Sequence, residues 1–363
     1  MKYSLLSLAA LVAAITGVCV KPIDAGVSTV SNETSCKLSG CTMKGCQCGP
    51  GCGCEPGSHD YFPYAPIGVM GDHIHRKGGL MASYRYMYMN MERNYDGDSQ
   101  ISDAQARNGY MASAADMQME MHMFGVMYAP TDKLTLMLMS NYRENRMLNV
   151  NMMGQSSKMR SAGWGDTTLS AYYSLYKKQG SSAHFGLGLS APTGSIDERM
   201  SSGARMGYPM QLGSGTWDLK PSITWLGQQG EWSFGSQASA VVHLGENDNE
   251  YTLGDSLSIT GWVSRRLSES AALSLRLTGS HWGNVDGRDD EMPTMMGGQP
   301  MAGAVDPDAR GGSRIDLSLG LNLWDTETGA RLAVEGGAPV YQNLDGPQLG
   351  TEWFVTAGIQ IAW

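Results

Sequence analysis

The sequence predicts an all-β fold: a transmembrane antiparallel β-barrel of about twelve strands, set in a Gram-negative outer membrane. Three observations predict it. From residue 79 onward, segments of about ten to thirteen residues alternate apolar with small or polar side chains, the period-two pattern of a strand with two unlike faces. Short and long connections alternate between these segments without a break, as short periplasmic turns and long outer loops do. Trp353, Val355, Ala357, Ile359, Ile361 and Trp363 fall on one face of the last segment. A final strand ending on an aromatic residue resembles the signal that such barrels present to the barrel assembly machinery. After the first apolar run no stretch of ~18 apolar residues follows, so a closed ring of strands is the remaining way to span lipid.

Strands are expected at 79–92, 117–129, 133–144, 165–177, 182–192, 216–227, 231–244, 255–267, 271–283, 313–325, 329–340 and 352–363. Turn residues sit between pairs of them: Pro130-Thr131-Asp132, Gln179-Gly180-Ser181, Gln228-Gln229-Gly230, Ser268-Glu269-Ser270 and Thr326-Glu327-Thr328. The long polar links are 93–116, 145–164, 193–215, 245–254, 284–312 and 341–351. An even strand number puts both barrel ends on the periplasmic side. Lipid-facing registers read as Leu134, Leu136 and Leu138; Trp232, Phe234, Ala238, Ala240 and Val242; and Ile315, Leu317, Leu319, Leu321 and Leu323. Trp217, Trp225, Trp262, Trp282, Trp324 and Trp353, near segment ends, are expected in an aromatic girdle.

Three regions follow. Residues 1–25 read as a secretory signal peptide: Lys2, then an apolar run from Leu5 to Val20, with cleavage after Ala25. Cys19 raises lipidation, against which stands the lack of a small residue just before it. Residues 26–78 read as an irregular periplasmic segment rich in Cys and His, and residues 79–363 as the barrel. The net charge of −9 and the absence of a basic run exclude a nucleic-acid surface.

Methionine is the compositional anomaly, with 26 residues. Strand parity gives it a face. If Tyr84, Tyr86 and Tyr88 look outward, Met87, Met89 and Met91 share the lumen with Arg85. If Phe124, Val126 and Tyr128 look outward, Met117, Met119, Met121, Met123 and Met127 look inward, and Met137 and Met139 likewise oppose the leucines of their strand. Such a stripe either fills an irregular interior, thioethers being flexible, or offers soft ligands to Cu(I) or Ag(I).

The segment before the barrel adds other ligand types. Cys36, Cys41, Cys46, Cys48, Cys52 and Cys54 are packed closely among Gly and Pro. In an oxidising compartment they would form disulfides; at this density they also suit Cu(I) or Zn(II) thiolates. His59 and the Met70, His73 and His75 group follow, where His-x-His places two imidazoles on one side of an extended chain.

Several stretches resemble a known family. Ala65-Pro66-Ile67-Gly68-Val69-Met70-Gly71-Asp72-His73 and Ser83-Tyr84-Arg85-Tyr86-Met87 are similar to the start of transporter-like barrels related to the phenol-degradation meta-pathway outer-membrane proteins. Gly163-Trp164-Gly165-Asp166-Thr167, Ala191-Pro192-Thr193-Gly194-Ser195, Gly215-Thr216-Trp217-Asp218-Leu219-Lys220-Pro221 and Asn247-Asp248-Asn249-Glu250-Tyr251 extend the match. So do Leu253-Gly254-Asp255, Pro339-Val340-Tyr341-Gln342 and Gly346-Pro347-Gln348. The resemblance implies an outer-membrane barrel and, more weakly, transport. Its Met-rich members look similar to proteins linked with copper handling. The Cys-rich segment is where this chain departs from it.

An enzyme is not expected. His281 and Ser280 are strand neighbours and so point to opposite faces, and His184 and His243 have no nucleophile at strand spacing. The leading reading is a channel or transporter-like barrel, in contact with outer-membrane lipid, that binds or passes a soft metal such as copper or silver. The alternatives are a porin for small apolar or aromatic solutes, with structural disulfides, and a filled barrel without transport.

Overall fold

A computed structural model describes residues 65–363, apart from 179, 296–297 and 326–327. Residues 1–64, with the expected signal peptide, the six cysteines and His59, lie outside the described residues. In chain order the strands are β1 (Leu80–Gly97), β2 (Ser99–Ile101), β3 (Ala112–Thr131), β4 (Leu134–Asn151), β5 (Ser156–Trp164), β6 (Thr167–Lys178) and β7 (Ser181–Ala191). They continue with β8 (Trp217–Gln229), β9 (Trp232–Leu244), β10 (Tyr251–Thr252), β11 (Ser256–Ser268), β12 (Ala271–Trp282), β13 (Asp286–Gly287), β14 (Gly312–Trp324) and β15 (Ala330–Ala362). One short helix, α1 (Asp103–Ala106), lies between β2 and β3 and is held by a Ser102–Gln105 capping box.

The ring order is β1-β3-β4-β6-β7-β8-β9-β11-β12-β14-β15, closed by β15 against β1. Every neighbouring pair is antiparallel. A ring with only antiparallel neighbours needs an even number of staves, so one element must count twice. That element is β15. Its 33 residues would run about 110 Å if straight, far beyond a bilayer. Its first half, Arg331–Leu344, pairs with β14, and its second half, Leu344–Ala362, pairs with β1. The reversal falls at Gly346, whose φ of +75° favours glycine. Gln342 and Thr351 then face each other across the hairpin, exchanging two hydrogen bonds of 2.9 and 3.0 Å. The barrel thus has the twelve staves expected.

The outer surface is apolar where lipid would lie. Leu136, Leu138, Leu169, Leu187, Leu275 and Leu319 are exposed, and Phe124, Trp164, Trp217, Trp232 and Trp353 stand among them. Inward positions carry small or polar groups instead, such as Thr135, Ser170, Thr224, Ser274, Ser318 and Asn322, all buried. Three tryptophans expected in the girdle are not in it. Trp262 and Trp324 are buried, and Trp282 donates to the Arg310 carbonyl at 2.8 Å. Parity explains this: each lies in the register of inward neighbours, Trp262 with Thr260 and Ser264, Trp324 with Asn322. Opposite Trp262 stands Gly235, where an added Cβ would come within 2.1 Å of the indole ring. Gly235→Val should therefore destabilise the barrel by about 1–3 kcal/mol. A parent-like thermal midpoint would contradict that packing.

Strand structure reaches further outward than expected. Parts of the links 93–116, 145–164 and 341–351 are strand: β1 continues to Gly97, β4 to Asn151, β5 spans Ser156–Trp164, and β15 passes through 341–351 as its hairpin. Their exposed charged residues looked like loop. In fact Arg146 and Arg160 pair with Glu120 and Glu144 of the expected strands, a ladder across β3, β4 and β5 with ion pairs of 2.6 to 2.7 Å. Cross-strand pairing satisfies the backbone above the apolar belt, and these surface pairs add little stability of their own.

Candidate functional site

The register fixes where the methionines point. Met87 pairs with Met121, Met89 with Met119, and Met91 with Met117 across β1 and β3. Met117 pairs in turn with Met147 of β4, and Met147 with Met159 of β5. Toward the periplasmic turns, Met81 pairs with Met127 and Met127 with Met137. Met123 stands opposite Arg85, and Met139 opposite Gly125. The exposed Phe124, Val126, Tyr128, Leu136 and Leu138 occupy the other register, so these thioethers share the inward face. The result is a column of sulfur along one lumen wall, from Met137 to Met147.

Two buried clusters mark its ends. In the inner one Met81, Met127, Met137 and Tyr172 pack with Ile74 and Met139. In the outer one Met117, Met147, Met206 and Met210 pack with Met91, Met159 and Met200. A cavity of about 60 Å³ lies beside Met91, Met117, Met147, Pro209 and Leu349. Met147 could have been read from the parity of its strand. Met200, Met206 and Met210 belong to the long link after β7, where no periodicity signals a direction.

Residues 65–78, expected in a periplasmic segment, lie instead inside the barrel. Polar groups of the segment find partners on inward strand positions all round the ring, which a peptide in bulk water would not need. The Gly68 amide donates to Glu335 Oε2 at 2.8 Å, and Glu335 is paired with Arg276 at 2.6 Å. The Met70 carbonyl accepts from Gln237 at 2.9 Å, and the Gly71 carbonyl meets His184 Nε2 at 2.8 Å. Asp72 binds His73 at 2.8 Å and faces Arg331 at 3.8 Å. The His75 amide donates to Thr135 at 3.0 Å and the Lys77 amide to Asp132 at 2.9 Å. Gly71 has a φ of +59° and lies against the Tyr172 ring, so a side chain there would be blocked twice over.

Electrostatics inside this segment are strongly biased. Burial alone would raise the Asp72 carboxyl, but His73, Arg331 and Arg85 together hold it well below the carboxylate range. Burial, aided by His73 and opposed by Asp72, holds the His75 imidazole down at about 4. His75 is therefore neutral at pH 7, and its buried Nε2 has no partner among the described residues. A base depressed on docking costs nothing above about pH 6.5, and opposes docking increasingly as pH falls toward 4. Hydrogen-exchange protection of residues 65–78 should fall over that window, and constant protection factors would contradict this.

The expected ligands are thus only partly brought together. His73 and His75 stack edge to face, with ring centroids 4.8 Å apart. Met70 is engaged separately, its sulfur accepting from Arg85. No group of three or more His, Cys, Asp or Glu side chains suited to a metal occurs among the described residues. The histidines weighed for catalysis have other partners: His243 bonds Asp218 at 2.7 Å, and His281 bonds Ser313 rather than Ser280.

The family-like motifs converge at the outer end. Asp166 accepts from the Gly194 and Ser214 amides at 2.9 and 2.8 Å. Asp218 accepts from Thr216 at 2.7 Å, and Asn247 donates to the Ser214 carbonyl at 3.0 Å. Four sequence-distant motifs therefore build one hub that fixes the long loops. Beside it Tyr208, Tyr251, Val285, Met292 and Val305 make a small loop core.

One solved structure shares this architecture. An outer-membrane channel from Pseudomonas putida F1 is similar over 82% of this chain and 100% of its own, with a TM-score of 0.59 at 14% identity. A FadL homologue from Pseudomonas aeruginosa covers 78% of this chain and 90% of its own, with a TM-score of 0.38 at 9% identity. No curated protein sequence matches the chain. A family model described as "Putative MetA-pathway of phenol degradation" matches residues 97–330. The match spans more than half of the sequence and includes the motif hub, and the chain is an outer-membrane β-barrel belonging to that family.

Proposed function

We propose that this channel-like barrel binds and passes a soft monovalent ion, Cu(I) or Ag(I), along its methionine wall. The observation that carries the reading is the cross-strand register of Met87–Met121, Met89–Met119 and Met91–Met117. Paired inward thioethers, repeated along neighbouring strands, offer weak soft ligands in series, and several weak sites suit passage better than one tight site. A barrel interior is ordinarily polar, so an apolar filler would not have to be sulfur at each step. The imidazoles of His73 and His75 add a second ligand type at the inner end. The six cysteines from Cys36 to Cys54 would capture the ion before entry, as thiolates rather than disulfides.

The test is a Cu(I) titration of the full chain in detergent against a competing chromophoric chelator. The comparison is a Met87→Leu, Met89→Leu, Met121→Leu and Met123→Leu variant, which keeps volume and apolarity. The variant should lose the weak sites while cysteine-bound metal persists. Equal stoichiometry in parent and variant would reduce the methionines to packing.

A further inference from the structure

The loop segment 206–210 feeds two cores of different chemistry. Tyr208 enters one, with Tyr251, Val285, Met292 and Val305. Met206 and Met210, on either side of it, enter the other, with Met117 and Met147. Among the described residues all four buried members of this second core are methionines, against one of five in the first. A mere drift toward methionine would fall on both alike. Aliphatic side chains would also fill the space with better-defined rotamers, so sulfur is the property that the second core selects.

The sulfurs come from both sides of the lumen opening. Met117 and Met147 are cross-strand neighbours on β3 and β4, and Met91 stands opposite Met117 on β1. Met206 and Met210 approach from the loop, which is firmly held. Gln211 accepts from the Glu198 amide at 2.9 Å and donates to the Met206 carbonyl at 2.8 Å. The Met210 amide donates to the Gly207 carbonyl at 2.9 Å. The cavity of about 60 Å³ that borders Met91, Met117 and Met147 leaves room for an ion among them. Among the described residues no carboxylate lines it, whereas Arg310 does. An ion there would gain no anionic ligand and would meet a fixed positive charge, a penalty that doubles for a divalent ion. Neutral soft donors in such a place suit Cu(I) or Ag(I).

We infer that Met91, Met117, Met147, Met206 and Met210 form a discrete all-thioether site for one Cu(I) or Ag(I) ion at the outer end, completed by the loop. The inference rests on the metal reading for the kind of ion. It is separable from the wall, because the site contains none of Met87, Met89, Met121 and Met123. Converging sulfurs should hold the ion more tightly than the paired ones along the wall.

The test is an Ag(I) titration of the full chain in detergent, with thiols blocked by N-ethylmaleimide and isotope-labelled methionine methyls followed by NMR. The Met117, Met147, Met206 and Met210 signals should move first, at lower Ag(I) than those of Met87, Met89, Met121 and Met123. A Met206→Leu, Met210→Leu variant keeps volume and apolarity. It should push the Met117 and Met147 response to at least about tenfold higher Ag(I), since even groups behind a ligand affect metal affinity that much. Its wall signals should respond as in the parent. Wall signals that move while those of the cluster stay put would overturn this inference and leave the wall reading standing. Silence from every methionine would end both. A Met117 and Met147 response unaltered in the double variant, or an equal response to Zn(II), would also overturn the site.

Discussion

Glu335→Ala should both destabilise the barrel and release its inner segment. Glu335 is 1% exposed and holds the Arg276 guanidinium together with the Gly68 amide. Truncation leaves a buried cation and a buried amide without their acceptor, which costs about 3–5 kcal/mol. Unfolding followed by the heat-induced gel shift of folded barrels should move to lower temperature, and single-channel conductance should rise. A Glu335→Leu, Arg276→Met double variant separates the effects. It removes the ion pair without leaving a lone charge, so stability should largely return. The Gly68 anchor is still gone, so conductance should stay high. A double variant with parent-like conductance would show that the segment is held elsewhere.

Leu319→Arg should cost about 2–4 kcal/mol if the outer face of β14 meets lipid at mid-depth. Leu319 is 60% exposed, so in water the same change would be nearly neutral. Its strand neighbour Ser318 is buried and faces the lumen, where a Ser318→Ala change should be mild. Refolding into vesicles, with denaturant unfolding, measures both. A neutral Leu319→Arg would remove the lipid belt from the account.

The barrel was legible because its signals are local. Parity along Leu134–Leu138 and Tyr84–Tyr88 fixed which face the methionines take, and the cross-strand pairs of β1, β3 and β4 agree. Parity also held what the tryptophan assignment overlooked, since Trp262 and Trp324 share the inward register of their strands. Strand ends were less legible. Arg146 and Arg160 look like loop residues until their partners on adjacent strands are known. The inner segment was hidden for a stronger reason. Gly68 and Glu335 are 267 residues apart, and nothing near either predicts the other. The outer methionine cluster shares that property, because Met206 and Met210 approach Met117 and Met147 only through the folded loop.

Silver flux into barrel-bearing vesicles tests the methionine wall most directly. The comparison is made in the Glu335→Ala background, with and without Leu at positions 87, 89, 121 and 123, using an entrapped silver indicator and potassium flux as control. The account predicts severalfold slower silver entry in the leucine variant with potassium entry unchanged. Equal silver entry in the two proteins would contradict it.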